Sequence, residues 1–220
     1  MGQTAPTPVR LPTGAEMRVT GEGSNAVVCV NGGGAAEVPG TWSAALEWLV
    51  RRLSPSFPSL CFAEVRYRIK SWRRLDLCVE DALGAVECVG AARTLFLGYS
   101  MGGAVAIRAC AGPGVVGVLA VAPWIPDRLD LSPLQGRSLV VIHGSLDRRL
   151  PGVPGVSPGS FRRGFERACA AGVEGTYTVI RGGLHGIAVR GRGGGLLPLP
   201  RSGRWAELVA GELDRFASGA

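Results

Sequence analysis

The chain has 220 residues, enough to bury one sizeable core, and its 46% hydrophobic and 19% charged content excludes a wholly disordered protein. Its formal net charge of +7 comes from arginines scattered in ones and twos, with Lys70 the only lysine. No long or aromatic-interleaved basic patch accompanies that charge, which argues against nucleic acid as a partner.

In chain order, residues 1–14 carry Pro6, Pro8 and Pro12 and are expected to form a flexible arm, leaving 15–220 as a single domain. Glu16 to Thr20 reads as a short edge strand. Ala26 to Val30 is a short apolar run between turn residues and reads as a buried strand. Asn31-Gly32-Gly33-Gly34 follows at once. Thr41 to Leu53 has helical spacing, with Trp42, Ala45, Leu46 and Leu49 on one face and Thr41 as N-cap. Cys61 to Ile69 alternates as a strand, and Arg74 to Ala91 reads as a helix. Thr94 to Leu97 is the next strand, followed by Gly98-Tyr99-Ser100-Met101-Gly102 and a helix from Gly103 to Cys110. Two further strands, Val115 to Val121 and Ser138 to Ile142, precede a Pro/Gly loop from Arg148 to Gly159 and a helix from Ser160 to Ala171. Thr176 to Ile180 is the last expected strand. A Gly/Pro/Arg loop over 190–203 then leads to an amphipathic helix from Arg204 to Phe216.

Alternating strands and helices imply a mainly parallel sheet covered on both faces. The polar residues of interest stand just after strands, at the edge where open α/β sheets bind ligands. A G-x-S-x-G match between a strand and a helix places a serine hydroxyl at the apex of a sharp turn. Glycines flank it because a Cβ there would collide as strand and helix converge. A serine becomes nucleophilic only with a base and a group that orients the base. His185 is the expected base, with His143 its competitor. Asp147 is the expected acid, and Asp127, after the preceding strand, is its rival.

On the serine turn, on His143-Gly144-Ser145-Leu146-Asp147 and on the order Ser100, Asp147, His185, nearly the whole chain resembles the α/β-hydrolase family. The resemblance implies a three-layer α/β/α sandwich with a mostly parallel sheet and no substantial lid, in the manner of compact esterase-like and dienelactone-hydrolase-like members. It implies that Ser100 attacks an acyl carbonyl, His185 acts as base and then acid, and Asp147 orients the imidazole. The oxyanion hole would use the backbone N–H of Met101 and that of Gly33 or Gly34, with Asn31 standing where family loops often have histidine. Trp42, Tyr99 and Trp124 are expected to line the substrate site, together with the loop from Arg148 to Gly159. Arg148 and Arg149 are candidates for anionic substrates. The expected substrate is a small carboxylic ester or thioester, and the alternative is a non-catalytic binding or scaffold protein of the same fold.

No metal or cofactor is expected, because six cysteines without a C-x-x-C pair and only two histidines do not cluster as ligands. The cysteines read as free thiols in a reducing compartment. With no signal-peptide core and no membrane-length apolar run, the chain reads as cytoplasmic, as a monomer or dimer.

Overall fold

The computed structural model describes residues 6–147 and 158–219. Among these, eight strands form one central sheet in the order β1-β2-β5-β3-β7-β8-β9-β10. They are β1 (Val9–Arg10), β2 (Glu16–Thr20), β3 (Asn25–Val30), β5 (Leu60–Arg66), β7 (Arg93–Tyr99), β8 (Val115–Val121), β9 (Ser138–Gly144) and β10 (Glu174–Ile180). β1 and β2 pair antiparallel, as do β2 and β5; from β5 to β10 every neighbour is parallel. Two small ribbons stand apart: β4 (Val38–Pro39) with β6 (Ile69–Lys70), and β11 (Ala188–Arg190) with β12 (Leu196–Pro198).

Side chains alternate across the parallel strands, so each strand feeds two cores. Val28, Val30, Phe96, Val118 and Val141 face one layer, where α2 (Leu75–Val89), α3 (Met101–Ala109) and α4 (Pro158–Ala170) pack. Val27, Cys29, Leu97, Leu119 and Ile142 face the other, against α1 (Ala44–Leu53) and α5 (Ser202–Ser218). Trp205, Val209, Leu213 and Phe216 are the buried stripe of α5. This is the three-layer sandwich expected from the strand and helix alternation.

Several boundaries differ from the sequence reading. Within the stretch expected to be a loose arm, Val9 and Arg10 pair with Met17 and Glu16, and Leu11 is buried. Glu16–Thr20 is therefore an inner strand of the sheet. Ser43, not Thr41, caps α1, its hydroxyl accepting the Leu46 N–H at 3.3 Å, so Trp42 lies before the helix. β5 ends at Arg66, and Ile69–Lys70 leaves the sheet to pair with β4. α3 begins at Met101, two residues earlier than expected. The expected loop 190–203 holds the end of β11 and all of β12, because Ala188 to Arg190 find antiparallel partners in Leu196 to Pro198.

Candidate active site

β7 runs straight into α3 through a single residue. Ser100 holds φ 55° and ψ −121°, a region that costs a non-glycine residue about 1–3 kcal/mol. Three backbone hydrogen bonds hold it there. Its N–H donates to the Val121 carbonyl at 3.2 Å, and its carbonyl accepts the N–H groups of Gly103 at 2.9 Å and Trp124 at 2.7 Å. The glycines make the turn possible by letting backbones touch. A Cβ on Gly98 would lie 2.5 Å from the Gly102 carbonyl oxygen, and one on Gly102 would lie 2.1 Å from that of Val30.

Two other loops meet the serine. After β9, Asp147 closes a turn through its N–H to the Gly144 carbonyl at 3.0 Å. After β10, Gly183 approaches Gly144 so closely that a Cβ on Gly144 would sit 2.2 Å from the Gly183 oxygen. The loops are stitched further by Leu146 N–H to Gly183 O, Ser145 N–H to Ile180 O, and Gly182 N–H to Ser145 Oγ, each at 2.9 Å. Together these contacts bring His185 between Asp147 and Ser100. His185 Nδ1 lies 2.9 Å from Asp147 Oδ2, and its Nε2 lies 3.1 Å from Ser100 Oγ. Asp147 is fully buried, while the imidazole keeps 11% of its side-chain surface exposed. A carboxylate facing Nδ1 selects the tautomer with the proton there, which leaves Nε2 to accept the serine proton. The Tyr99 ring lies 5.4 Å from the imidazole, and its phenol is raised well above the usual range by burial and then by Asp147.

The competing residues stand elsewhere. His143 is buried against Phe161 and Tyr177, with ring centroids 5.1 Å apart in both pairs. Asp127 is exposed and pairs with Arg163 at 3.6 Å.

The glycine loop after β3 approaches from the other strand neighbouring β7. A Cβ on Gly32 would lie 2.9 Å from Ser100 Cβ, so this backbone touches the serine directly. The Gly32 N–H already donates to Asn31 Oδ1 at 2.7 Å, and Gly34 bridges to Ser71, its carbonyl accepting the Trp72 N–H. Asn31 Nδ2 donates to the Thr41 carbonyl at 2.9 Å, and the Asn31 carbonyl accepts the Tyr67 hydroxyl. A side chain with both a donor and an acceptor thus ties the loop down where a histidine was the familiar residue.

Ser100 and His185 open on a cavity of about 610 Å³. Trp42 and Tyr99 line it as expected, with Leu146, Leu184, Val189 and Leu199 supplying apolar walls. Arg18 and Arg66 stack on Trp42 at 4.5 and 5.5 Å. The hairpin wall is fastened by Arg190, which pairs with Glu47 of α1 at 2.6 Å. Glu47 also holds Arg18 and Arg51. Burial pushes the Glu47 carboxyl up, but hydrogen bonds and charge from Arg18 and Arg190 outweigh it and hold it below its usual value.

Trp124 does not line this cavity. Its ring lies 6.0 Å from that of Trp72 in a separate groove with Arg128 and Asp130, and only its backbone serves the serine turn. Arg148, Arg149 and the loop up to residue 157 lie outside the described residues.

No protein-family model matches the sequence, and no curated protein matches it. Solved structures do. An alpha/beta hydrolase from a Medee basin deep-sea metagenome library aligns over 97% of this chain and 99% of its own, with TM-score 0.69 and 15% identity. An esterase from Exiguobacterium antarcticum aligns over 95% and 99%, with TM-score 0.66 and 12% identity. A butyrate-bound thermophilic esterase from Thermogutta terrifontis aligns over 98% and 94%, with TM-score 0.66 and 15% identity. The chain has the α/β-hydrolase fold.

In this α/β-hydrolase fold the connection from β8 to β9 carries one short 3₁₀ turn, Ser132–Leu134, and no helical lid. Among the described residues no cluster of three His, Cys, Asp or Glu could hold a metal, and no helix is long and apolar enough to cross a membrane. Sequence reasoning missed Gly32, Lys70, Val189 and Leu199 at the cavity. Lys70 had a signal, being the lone lysine among arginines. The hairpin residues had none, because their place depends on Arg190 reaching a helix 143 positions away.

Proposed function

We propose that this chain is a serine hydrolase that cleaves a carboxylic ester or thioester through an acyl-enzyme. The observation that carries this reading is the unbroken hydrogen-bonded chain from buried Asp147 through His185 to a strained Ser100 facing an apolar cavity. As the Ser100 oxygen attacks the acyl carbonyl, His185 Nε2 takes its proton and Asp147 stabilises the imidazolium. The imidazolium then protonates the leaving alcohol or thiol. Water, deprotonated by the same nitrogen, attacks the acyl-enzyme and restores the hydroxyl.

The negative charge on the carbonyl oxygen needs two preorganised donors. The first N–H groups of a helix have no partner inside it, and Met101 is the first residue of α3. Between the two glycine candidates, Gly33 is the better donor. Gly32 spends its N–H on Asn31, and of the other two Gly33 packs against the Met101 side chain whereas nothing lies within 4 Å of where a Cβ on Gly34 would sit. A cavity of about 610 Å³ with apolar walls suits a short acyl group, in keeping with the butyrate bound by the Thermogutta esterase. That neighbouring folds belong to esterases supports the reaction class.

A fluorophosphonate probe and 4-nitrophenyl esters of short acids test the reading. Wild type is expected to label and to turn over at least one ester, and Ser100→Ala to do neither. Equal labelling and turnover by the two proteins would remove Ser100 from the chemistry.

A further inference from the structure

Among the described residues, the cavity holds one basic side chain besides His185. Lys70 ends β6 where the chain has left the sheet, and it lines the same cavity as Ser100. Its stem lies against the glycine loop: a Cβ on Gly33 would be 3.3 Å from Lys70 Cγ and 2.6 Å from Met101 Sδ. The glycine loop that touches Ser100 through Gly32 is thus also the loop against which the Lys70 stem rests, and both residues line one cavity.

Other cations near this cavity are matched by carboxylates. Arg18 has Glu47 and Glu64, both at 2.8 Å, and Arg190 has Glu47. Lys70 has a hydroxyl instead, donating to Thr41 Oγ1 at 2.8 Å, and among the described residues no carboxylate lies within 4.0 Å of its Nζ. Thr41 also lines the cavity and is fixed by the Asn31 side chain through its carbonyl. An ammonium has three donors, so the bond to Thr41 leaves two that can turn to a ligand. Burial lowers its pKa. Trp42, Leu146, Leu184 and Val189 supply apolar wall, and among the described lining residues Lys70 and His185 alone have basic side chains.

We propose that Lys70 and Thr41 form an anion subsite, and that the substrate is an ester or thioester carrying a carboxylate on an apolar body. One ammonium with one hydroxyl matches the single charge of a carboxylate better than the two of a phosphate. This rests on the serine-hydrolase reading for where the scissile bond lies, but the subsite itself is read from the cavity.

Two matched substrate pairs test it: mono-4-nitrophenyl adipate against its distal methyl ester, and 4-butyryloxybenzoate against its methyl ester. The first puts the charge on the acyl side and the second on the leaving group. In wild type, kcat/KM for the acid is expected to exceed that for its methyl ester by about 10- to 100-fold in at least one pair, as for a charge-assisted hydrogen bond. Lys70→Met should bring that ratio to about one, and Lys70→Arg should keep part of it. A ratio near one in wild type for both pairs overturns the proposal. So does an unchanged ratio in Lys70→Met, including an equal loss on acid and ester, which would make Lys70 a support of the oxyanion loop. Calorimetry on Ser100→Ala protein with the two adipates reads the subsite without turnover. Tighter binding of the acid, abolished by adding Lys70→Met, upholds the subsite even if wild type hydrolyses nothing; equal binding of the two adipates overturns it.

Discussion

His143 and His185 both stand near the carboxyl edge of the sheet, one closing β9 and the other just beyond β10, strands that pair with each other. Their neighbours differ. His143 is packed between Phe161 and Tyr177, and among the described residues its Nδ1 has no hydrogen-bond partner while its Nε2 meets the Tyr177 hydroxyl at 3.4 Å. His185 has a buried carboxylate on one nitrogen and a serine hydroxyl on the other, and it faces a cavity. Burial of His143 lowers its basicity and closes off access to it. Two hydrogen-bonding partners and an opening thus suit one strand-end histidine to the base proposed for it, and aromatic rings make the other a core side chain.

The largest expected effect separates the two residues directly. His185→Gln should lower kcat by about 10³- to 10⁴-fold, and Asp147→Asn by a similar factor because the imidazole loses its orienting acceptor. His143→Phe should leave kcat within about threefold. Steady-state kinetics on one ester decides it, and a large loss in His143→Phe would erase the contrast.

A smaller effect tests the contact that brings acid and base together. Gly144→Ala places a methyl 2.2 Å from the Gly183 oxygen, backbone that has little room to yield. We expect it to cost about 2–4 kcal/mol, lowering the melting temperature by about 4–16 °C, with activity falling as Asp147 parts from His185. An unchanged melting curve would show that the loops are held by the surrounding hydrogen bonds alone.

The smallest effect is on acid stability. Burial holds the His143 pKa below its ordinary 6.5, so the unfolded chain binds a proton there that the folded chain refuses. This contribution is complete above pH 6.5 and is lost as pH falls toward the folded value. Denaturant melts between about pH 7 and pH 5 should show stability falling with acid, and a shallower slope in His143→Phe. The difference is at most about 1.4 kcal/mol per pH unit, one proton's worth.

What could be read from the sequence follows from how local each feature is. The serine turn was legible because Gly98, Gly102 and Gly103 are demanded by backbone contacts within a few residues or with the adjoining strand ends. Asp147 and His185 were legible because a polar residue after an apolar run marks the end of a strand. What separates His185 from His143 in the structure is held by the sequence only in part, since the aromatic rings around His143 come from α4 and β10. Trp124 looked like a wall residue by position, yet its ring turns toward Trp72, a contact across 52 positions. Lys70 and the hairpin near Val189 reach the cavity through long-range pairing with β4 and α1, for which no local pattern exists.

Asp147 and His185 are 38 positions apart, and their spacing is set where two backbones meet without any side chain between them. Two missing methyl groups act as the gauge. Before His185 the chain passes through α4 and β10, so the turn over 171–173 between them can gain or lose residues without moving the pair. Variation in length is therefore cheap in that part of the polypeptide and expensive at the two glycines, where a single carbon would be felt.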